Sequence, residues 1–318
     1  MQTRICWFWL VGLAGVAVSQ LAIVTSWSDA RFGTGPNVLV LLVAAYGAFA
    51  WGPFGLRAEY EQLVRTGRSR LARDARSPAI TEADLAPLPA PVQRYLRFAG
   101  VVGTPRPQAF RARMSGRIRG SATAPWMPFV AEQTNFTEPP RRYFWMEATR
   151  AGLPLDGLHT YGETDADMRI RLLSVLQVAH VDGPQMRQGE TVTLFNDMCF
   201  FAPGTLLDPT IRWREIDART VEATYANGPH TIHATLSFDA SGALVNFWSD
   251  DRPALAADGR TLLPQRWSTP VRDYRSAGPF RLVGSGEGRY AAPDGDYAYI
   301  EVEVTGVTTE PGPAEGPR

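Results

Sequence analysis

The chain has 318 residues, 45% of them hydrophobic and 20% charged, which supplies a packed core and excludes wholesale disorder. Its 32 basic and 32 acidic residues cancel, and every cation is Arg, so no net field draws it toward nucleic acid. Two cysteines far apart, Cys6 and Cys199, exclude a disulfide framework, and no zinc-type Cys/His spacing or cofactor motif occurs.

Ile5 to Val24 carries no charge, with Ser19 and Gln20 its polar interruptions, and a second uncharged run goes from Pro36 through Leu56. Each is roughly 30 Å long as a helix, the thickness of a hydrocarbon core. Trp7, Trp9, Trp27 and Trp51 fall near the ends, where amphipathic rings sit at the interface. The alternative for the first run is a cleaved signal peptide, although no clean cleavage site follows it. One Arg precedes the first run (Arg4) and one lies in the connecting loop 25–35 (Arg31), whereas Arg57, Arg65, Arg68, Arg70, Arg73 and Arg76 follow the second. The positive-inside rule then places the large C-terminal part on the cytoplasmic side of the inner membrane, attached by a two-pass anchor. The bilayer is therefore the first expected partner.

Residues 57–76 read as a basic helix leaving the membrane, within a juxtamembrane linker 57–84. Pro91 starts a short helix in which Val92, Tyr95, Leu96 and Ala99 form one apolar stripe, with Gly100 as its cap. From Phe110 the period changes to two: Phe110, Ala112, Met114, Gly116 and Ile118 alternate with an outer row containing Arg111, Arg113, Arg117 and Arg119. That row reads as a solvated face, or as a docking face for acidic headgroups. Further strands are expected at 129–136, 143–148, 158–163, 168–181, 211–216, 221–225, 231–238, 244–249, 265–274, 280–284, 287–290 and 297–304, with Asn227-Gly228 as a hairpin turn. Short turns at this spacing predict an antiparallel meander. One helix interrupts it, Gly189 to Ala202, apolar enough to be buried against the concave side, with Glu190, Thr193 and Asp197 sharing its polar face. Residues 307–318 read as a disordered tail. The fold class is thus mainly β with N-terminal transmembrane helices, a curved antiparallel sheet over 85–306 packed with one or two helices.

Chemistry is sparse. Glu190 and Asp197 are two helical turns apart, too far to share a proton. His230 and His233 point to opposite faces of a strand, while His180 and Asp182 share one and would suit a general base, without a nucleophile in sight. Gly284-Ser-Gly286-Glu-Gly288 looks like a phosphate loop but opens a strand, so it reads as a bulge or hairpin turn. Trp145, Trp248 and Trp267 belong to a set of large rings that fill a core or wall an apolar cavity.

Four stretches, 88–97 (LPAPVQRYLR), 189–197 (GETVTLFND), 211–213 (IRW) and 267–274 (WSTPVRDY), together resemble an uncharacterised bacterial family of membrane-anchored β-rich domains over roughly residues 85–305. The resemblance implies a half-barrel similar to lipoprotein carriers, with helices over an apolar cavity, and it implies no catalytic residue.

The function expected from these readings is binding of a lipid or other apolar small molecule next to the bilayer. Arg187, Glu190, Asn196 and Asp197 would orient a polar head, and Phe195, His180, Trp145, Trp248 and Trp267 would line the rest. An enzyme using His180/Asp182 or Glu190/Asp197, and a scaffold binding a protein partner through a sheet edge, are the alternatives.

Overall fold

The computed structural model describes residues 8–71, 78–256, 258–293 and 295–311. Two apolar helical stretches come first. Helix α1 (Phe8–Thr25) is followed by α2 (Trp27–Ala30), a 3-10 turn at Arg31–Gly33, and α3 (Thr34–Ala50). Phe8–Thr25 and Trp27–Ala50 are each long and apolar enough to cross a membrane. The expected loop over 25–35 is therefore mostly helix, because only Asp29 and Arg31 are charged and no helix breaker precedes Gly33. Gly12 admits Ala44 at close range, and Asn37 Nδ2 donates to Gln20 Oε1 at 2.9 Å, the kind of polar pair that holds apolar helices together.

Helix α4 (Leu56–Ser69) does not trail away as a linker. It lays Leu56, Tyr60 and Val64 on Phe136, Tyr143, Trp145 and Leu158, a separate core cluster on the convex face of the sheet. The remainder of the expected 57–76 helix, from residue 72, lies outside the described residues. A single turn, α5 (Glu82–Leu85), is opened by a capping box between Thr81 and Asp84. Then α6 (Ala90–Ala99) buries Val92, Tyr95, Leu96 and Ala99 completely, the stripe its spacing predicts, and Gly100 caps it at φ 77°.

The sheet begins with six consecutive antiparallel strands: β1 (Pro107–Ile118), β2 (Met127–Thr137), β3 (Pro140–Arg150), β4 (Leu153–Tyr161), β5 (Ala166–Leu172) and β6 (Leu176–Asp182). Helix α7 (Gly183–Phe201) follows, then β7 (Ile211–Asp217), β8 (Thr220–Asn227), β9 (His230–Phe238) and β10 (Leu244–Ser249). A small ribbon of β11 (Ala254–Leu255) and β12 (Leu262–Leu263) precedes the two-residue strands β13 (Trp267–Ser268) and β14 (Val271–Arg272). A second ribbon, β15 (Arg275–Ala277) and β16 (Phe280–Leu282), leads to β17 (Ser285–Ala292) and β18 (Gly295–Pro311). The main sheet runs β6-β5-β4-β3-β2-β1-β18-β17-β13-β10-β9-β8-β7, with β14 also paired to β17.

Curvature follows from what α7 touches. The helix packs against β5 and β6 near one end of the sheet and against β9 and β10 near the other. A sheet of this width reaches both sides of one helix only by wrapping around it. Every residue of α7 from Gly189 to Phe201 is buried, its polar face of Glu190, Thr193 and Asp197 included. The result is an antiparallel half-barrel closed by helices, its end strands β6 and β7 unjoined.

Three sequence expectations change. The strand over 168–181 is two, split where Leu173 and Ser174 turn at positive φ. The strand over 265–274 breaks into β13 and β14 on either side of Thr269-Pro270, since Pro supplies no ladder N–H. Residues 307–311 are not a disordered tail: Val307, Thr308, Thr309 and Glu310 pair with Ala112, Arg111, Phe110 and Ala109 of β1. Val307-Thr-Thr309 is β-branched and continues the strand, a local propensity that the following Pro/Gly stretch obscured. Residues 312–318 lie outside the described residues. Of the glycine-rich 284–288 stretch, Ser285 to Gly288 lie in β17 and Gly284 just before it, with a register shift between Gly288 and Arg289.

Candidate functional site

The concave face encloses a cavity of about 520 Å³ between the sheet, α7 and the 252–259 segment. Its side walls come from strand alternation. On β3, Arg142, Phe144, Met146, Ala148 and Arg150 face inward, while Tyr143 and Trp145 between them face α4 on the convex side. Met114, Met127, Met146 and Met168 give the walls four flexible thioether side chains, a surface that adapts to ligand shape. Gly157 on β4 faces the cavity with no atom within 4 Å of where a Cβ would stand.

The floor is polar and dense. Arg142 is buried, and it bridges the two carboxylates of α7: its Nε donates to Asp197 Oδ2 at 2.7 Å and one terminal nitrogen to Glu190 Oε2 at 2.8 Å. The other terminal nitrogen reaches Gln133 Oε1 at 3.4 Å. Asn135 Nδ2 adds a bond to Asp197 Oδ2 at 3.1 Å, and His159 Nδ1 lies 3.3 Å from Glu190 Oε1. Burial pushes Glu190 upward, but Arg142, His159 and Arg252 outweigh it and hold the carboxyl at about 2. At Asp197 burial prevails over Arg142 and Asn135, and its value is raised. Beside this network stands a second guanidinium. Arg252 stacks over Trp267 at 4.4 Å, donates Nε to Thr193 Oγ1 at 2.9 Å, and donates a terminal nitrogen to the Tyr290 hydroxyl.

The cavity opens at one end of the sheet. Its exposed lining residues are Gly120, Arg150 and Val178, beside the partly exposed Arg119 and Leu155. All lie at the β1–β2, β3–β4 and β5–β6 connections, which antiparallel order gathers at one end. The rim is apolar on its outside, with Leu153, Val175, Leu176 and Val178 each more than 40% exposed. The chain emerging from α3 meets this same end: Arg171, on the last turn of β5 before that rim, donates to the Phe54 carbonyl at 3.3 Å, and Arg57 lies over Trp145.

Of the residues singled out from the sequence, Glu190, Asn196, Asp197 and Trp267 line the cavity. The shared polar face of α7 is real, and Thr193 belongs to it. The seven-residue gap between Glu190 and Asp197 is spanned by one guanidinium, not by a shared proton. The other five candidates stand elsewhere. Phe195 is on the opposite side of α7, wholly buried and stacked on Tyr225 at 5.2 Å. Arg187 donates to the Glu163 carbonyl and lies beside Tyr161, away from the cavity. His180 is on edge strand β6, where its Nε2 sits 2.6 Å from Asp167 Oδ2, with Asp182 at 3.8 Å in an exposed cluster. Trp145 faces α4, and Trp248 faces outward under Arg266 at 4.1 Å. Trp145 misses the cavity by one step of the strand period, since Phe144 is its inward neighbour, whereas Phe247 beside Trp248 packs on Phe195 in the core and not in the cavity wall.

Arg142, His159, Arg252 and Tyr290 went unrecognised in the sequence as site residues. Arg142 carried a signal, because it heads the inward alternation Arg142-Phe144-Met146-Ala148, where a charge needs buried partners. Arg252 carried none: it follows β10 in an irregular segment. Among the described residues no group of three or more His, Cys, Asp and Glu is arranged to hold a metal ion.

The chain belongs to the Family of unknown function (DUF6544), whose model matches residues 78–302, close to the span of the resemblance read from the sequence. Among curated proteins none matches it. Three solved structures are similar at fold level. A domain named for outer membrane lipoprotein sorting, from Vibrio parahaemolyticus, is 9% identical, covers 65% of this chain and 87% of its own, and has a TM-score of 0.36. A DUF1329 family protein from Desulfovibrio piger is 12% identical, with coverage of 70% and 92% and a TM-score of 0.38. A LolA superfamily protein from Nitrosomonas europaea is 10% identical, with coverage of 75% and 96% and a TM-score of 0.31.

Proposed function

We propose that this protein is a membrane-anchored binding domain that takes one single-chain amphiphile from the adjacent bilayer into its half-barrel. The observation that carries the reading is the position of the cavity mouth. It opens at the end of the sheet where the chain arrives from the apolar helices, and its outer rim presents Leu153, Val175, Leu176 and Val178. An apolar rim next to a bilayer gives an acyl chain a path that avoids water. The excess of Arg after the second helix favours the cytoplasmic side of the inner membrane for the domain.

Volume limits the ligand. A methylene group needs about the 30 Å³ share of a water molecule, so 520 Å³ accommodates on the order of seventeen carbons. That suits one chain with a small head and excludes a two-chain phospholipid held entirely inside.

The test is native mass spectrometry of the full-length protein in mild detergent, with extraction and identification of whatever remains bound. One single-chain amphiphile per protein is expected. Gly157→Trp fills the cavity from a position with open space around it, so it should abolish retention while leaving the fold intact. An empty wild type, or a filled-cavity variant that retains ligand as well as wild type, would sink the reading.

A further inference from the structure

The cavity floor holds two guanidinium groups in opposite situations. Arg142 is neutralised: its Nε donates to Asp197, one terminal nitrogen to Glu190 and the other to Gln133. Arg252 is not. Among the described residues no carboxylate oxygen comes within 4.0 Å of it, and its second terminal nitrogen donates to nothing. A cation with no carboxylate in contact inside an apolar-walled cavity is costly even with Glu190 acting on it at longer range, and a fold normally neutralises it or leaves it to water. Here it is instead held in place, stacked over Trp267 and tied to Thr193 and Tyr290. Arg252, Tyr290 and Tyr299 all line the cavity. The Tyr299 hydroxyl accepts from Trp267 Nε1 at 3.2 Å, and its own proton is uncommitted.

A preorganised guanidinium edge beside a hydroxyl donor, in an apolar-walled cavity, is a receptor for one small anion attached to a chain. We propose that Arg252, assisted by Tyr299, binds the carboxylate of a long-chain fatty acid whose tail lies along the methionine-lined walls. The inference rests on the amphiphile-binding reading above and names its ligand class. A monoanion fits better than a phosphate dianion, because Glu190 and Asp197 stand in the same floor and would repel a second negative charge.

The experiment is a binding titration of the full-length protein in non-ionic detergent with three probes: palmitate, hexadecanol and palmitoyl lysophosphatidic acid. Palmitate should bind roughly 10- to 100-fold more tightly than hexadecanol, the range of a charge-assisted hydrogen bond, and more tightly than the lysophosphatidic acid. Arg252→Met should remove the preference over hexadecanol without weakening hexadecanol itself, which also shows that the cavity has formed. Arg252→Lys should recover part of it. Equal binding of palmitate and hexadecanol by the wild type would overturn the role of Arg252 while leaving the cavity reading intact. Tighter lysophosphatidic acid would overturn the carboxylate assignment. Failure of every probe would overturn the amphiphile reading itself. Should Arg252→Met not fold, carboxyl-labelled palmitate on the wild type decides. Its bound carboxylate should stay ionised to lower pH than in protein-free micelles, and an unchanged or raised midpoint would refute the contact.

Discussion

Arg142→Met tests whether the floor network is built as described. The substitution keeps most of the side-chain volume but leaves Glu190 and Asp197 facing each other, each at most 5% exposed. Removing one partner of a buried ion pair costs about 3–5 kcal/mol, against about 5–15 kcal/mol for a whole domain. At 2–4 °C per kcal/mol for a domain of this size, melting should fall by roughly 6–20 °C at pH 7. The pH dependence carries a second, independent sign. In the wild type Glu190 is held at about 2 against an ordinary 4.5, so its contribution is complete above 4.5 and is lost as pH falls toward 2. That shift corresponds to about 3 kcal/mol. Asp197 acts in the other direction: its raised value means stability is lost as pH rises above its ordinary 3.8. Without Arg142 the largest opposing cause is gone from both carboxyls, leaving burial and their mutual repulsion against only His159 and Arg252 at Glu190 and Asn135 at Asp197, so both move toward the second case. The variant should therefore lose stability as pH rises from 4 to 7, where the wild type is sustained by Glu190. Melting followed by circular dichroism on the full-length protein in detergent measures both effects. Adding Glu190→Gln and Asp197→Asn should restore most of the loss. A single variant melting within 2 °C of wild type at pH 7, or showing the same pH profile, would refute the network.

Two further predictions separate the core from the cavity and the rim from the body. Phe195→Ala removes a wholly buried ring stacked on Tyr225 and in contact with Phe247, and should cost about 3–5 kcal/mol while the folded fraction keeps its ligand stoichiometry; a stable variant that loses ligand would return Phe195 to the cavity wall. A spin label at Val175, in a chain reconstituted into liposomes with Cys6 changed to Ser, should relax faster with lipid-soluble oxygen than with a water-soluble metal complex, and the opposite ranking would show that the β5–β6 rim faces water.

The architecture was largely legible because the sheet alternates cleanly and its turns carry local signals. Asn227-Gly228 sets the β8–β9 register, with Asn227 opposite His230, and Gly100 ends α6 where the apolar stripe ends. The site was half legible. Periodicity along α7 identified Glu190, Thr193 and Asp197 as one face because a helix repeats every 3.6 residues and the polar positions obey it. It could not say which strand supplies their counter-charge, since Arg142 lies 48 residues before Glu190 and meets it only through the curl of the sheet. Tryptophan identity misled for a related reason. A large ring is compatible with either face of a strand, and only the neighbours of Trp145 and Trp248 decide between concave and convex. Val307–Glu310 was misread because composition of the following residues outweighed a short β-branched run whose partner, β1, is nearly 200 residues away in sequence.

The unjoined edge of the half-barrel connects these points. An exposed β-edge bearing apolar side chains invites pairing with another chain, and soluble proteins blunt such edges with charge or cover. Strand β6 is only partly covered at its rim end: Leu176 is 59% exposed and Val178 47%, although Gly259 lies close to the Val178 carbonyl and Arg171 of β5 stands opposite Gln177, while Asp182 and the Asp167–His180 pair lie toward the far end. The same strand is therefore apolar where the chain comes out of α3 and polar where it does not. A purely structural scaffold gains nothing from that gradient, and a free soluble carrier would aggregate through it. For a domain held at the bilayer by two helices and loaded through its rim, the apolar half of β6 lies in contact with lipid and the polar half in water. On that reading the anchor protects the edge, the open edge admits the ligand, and the charged floor beyond it selects which amphiphile stays.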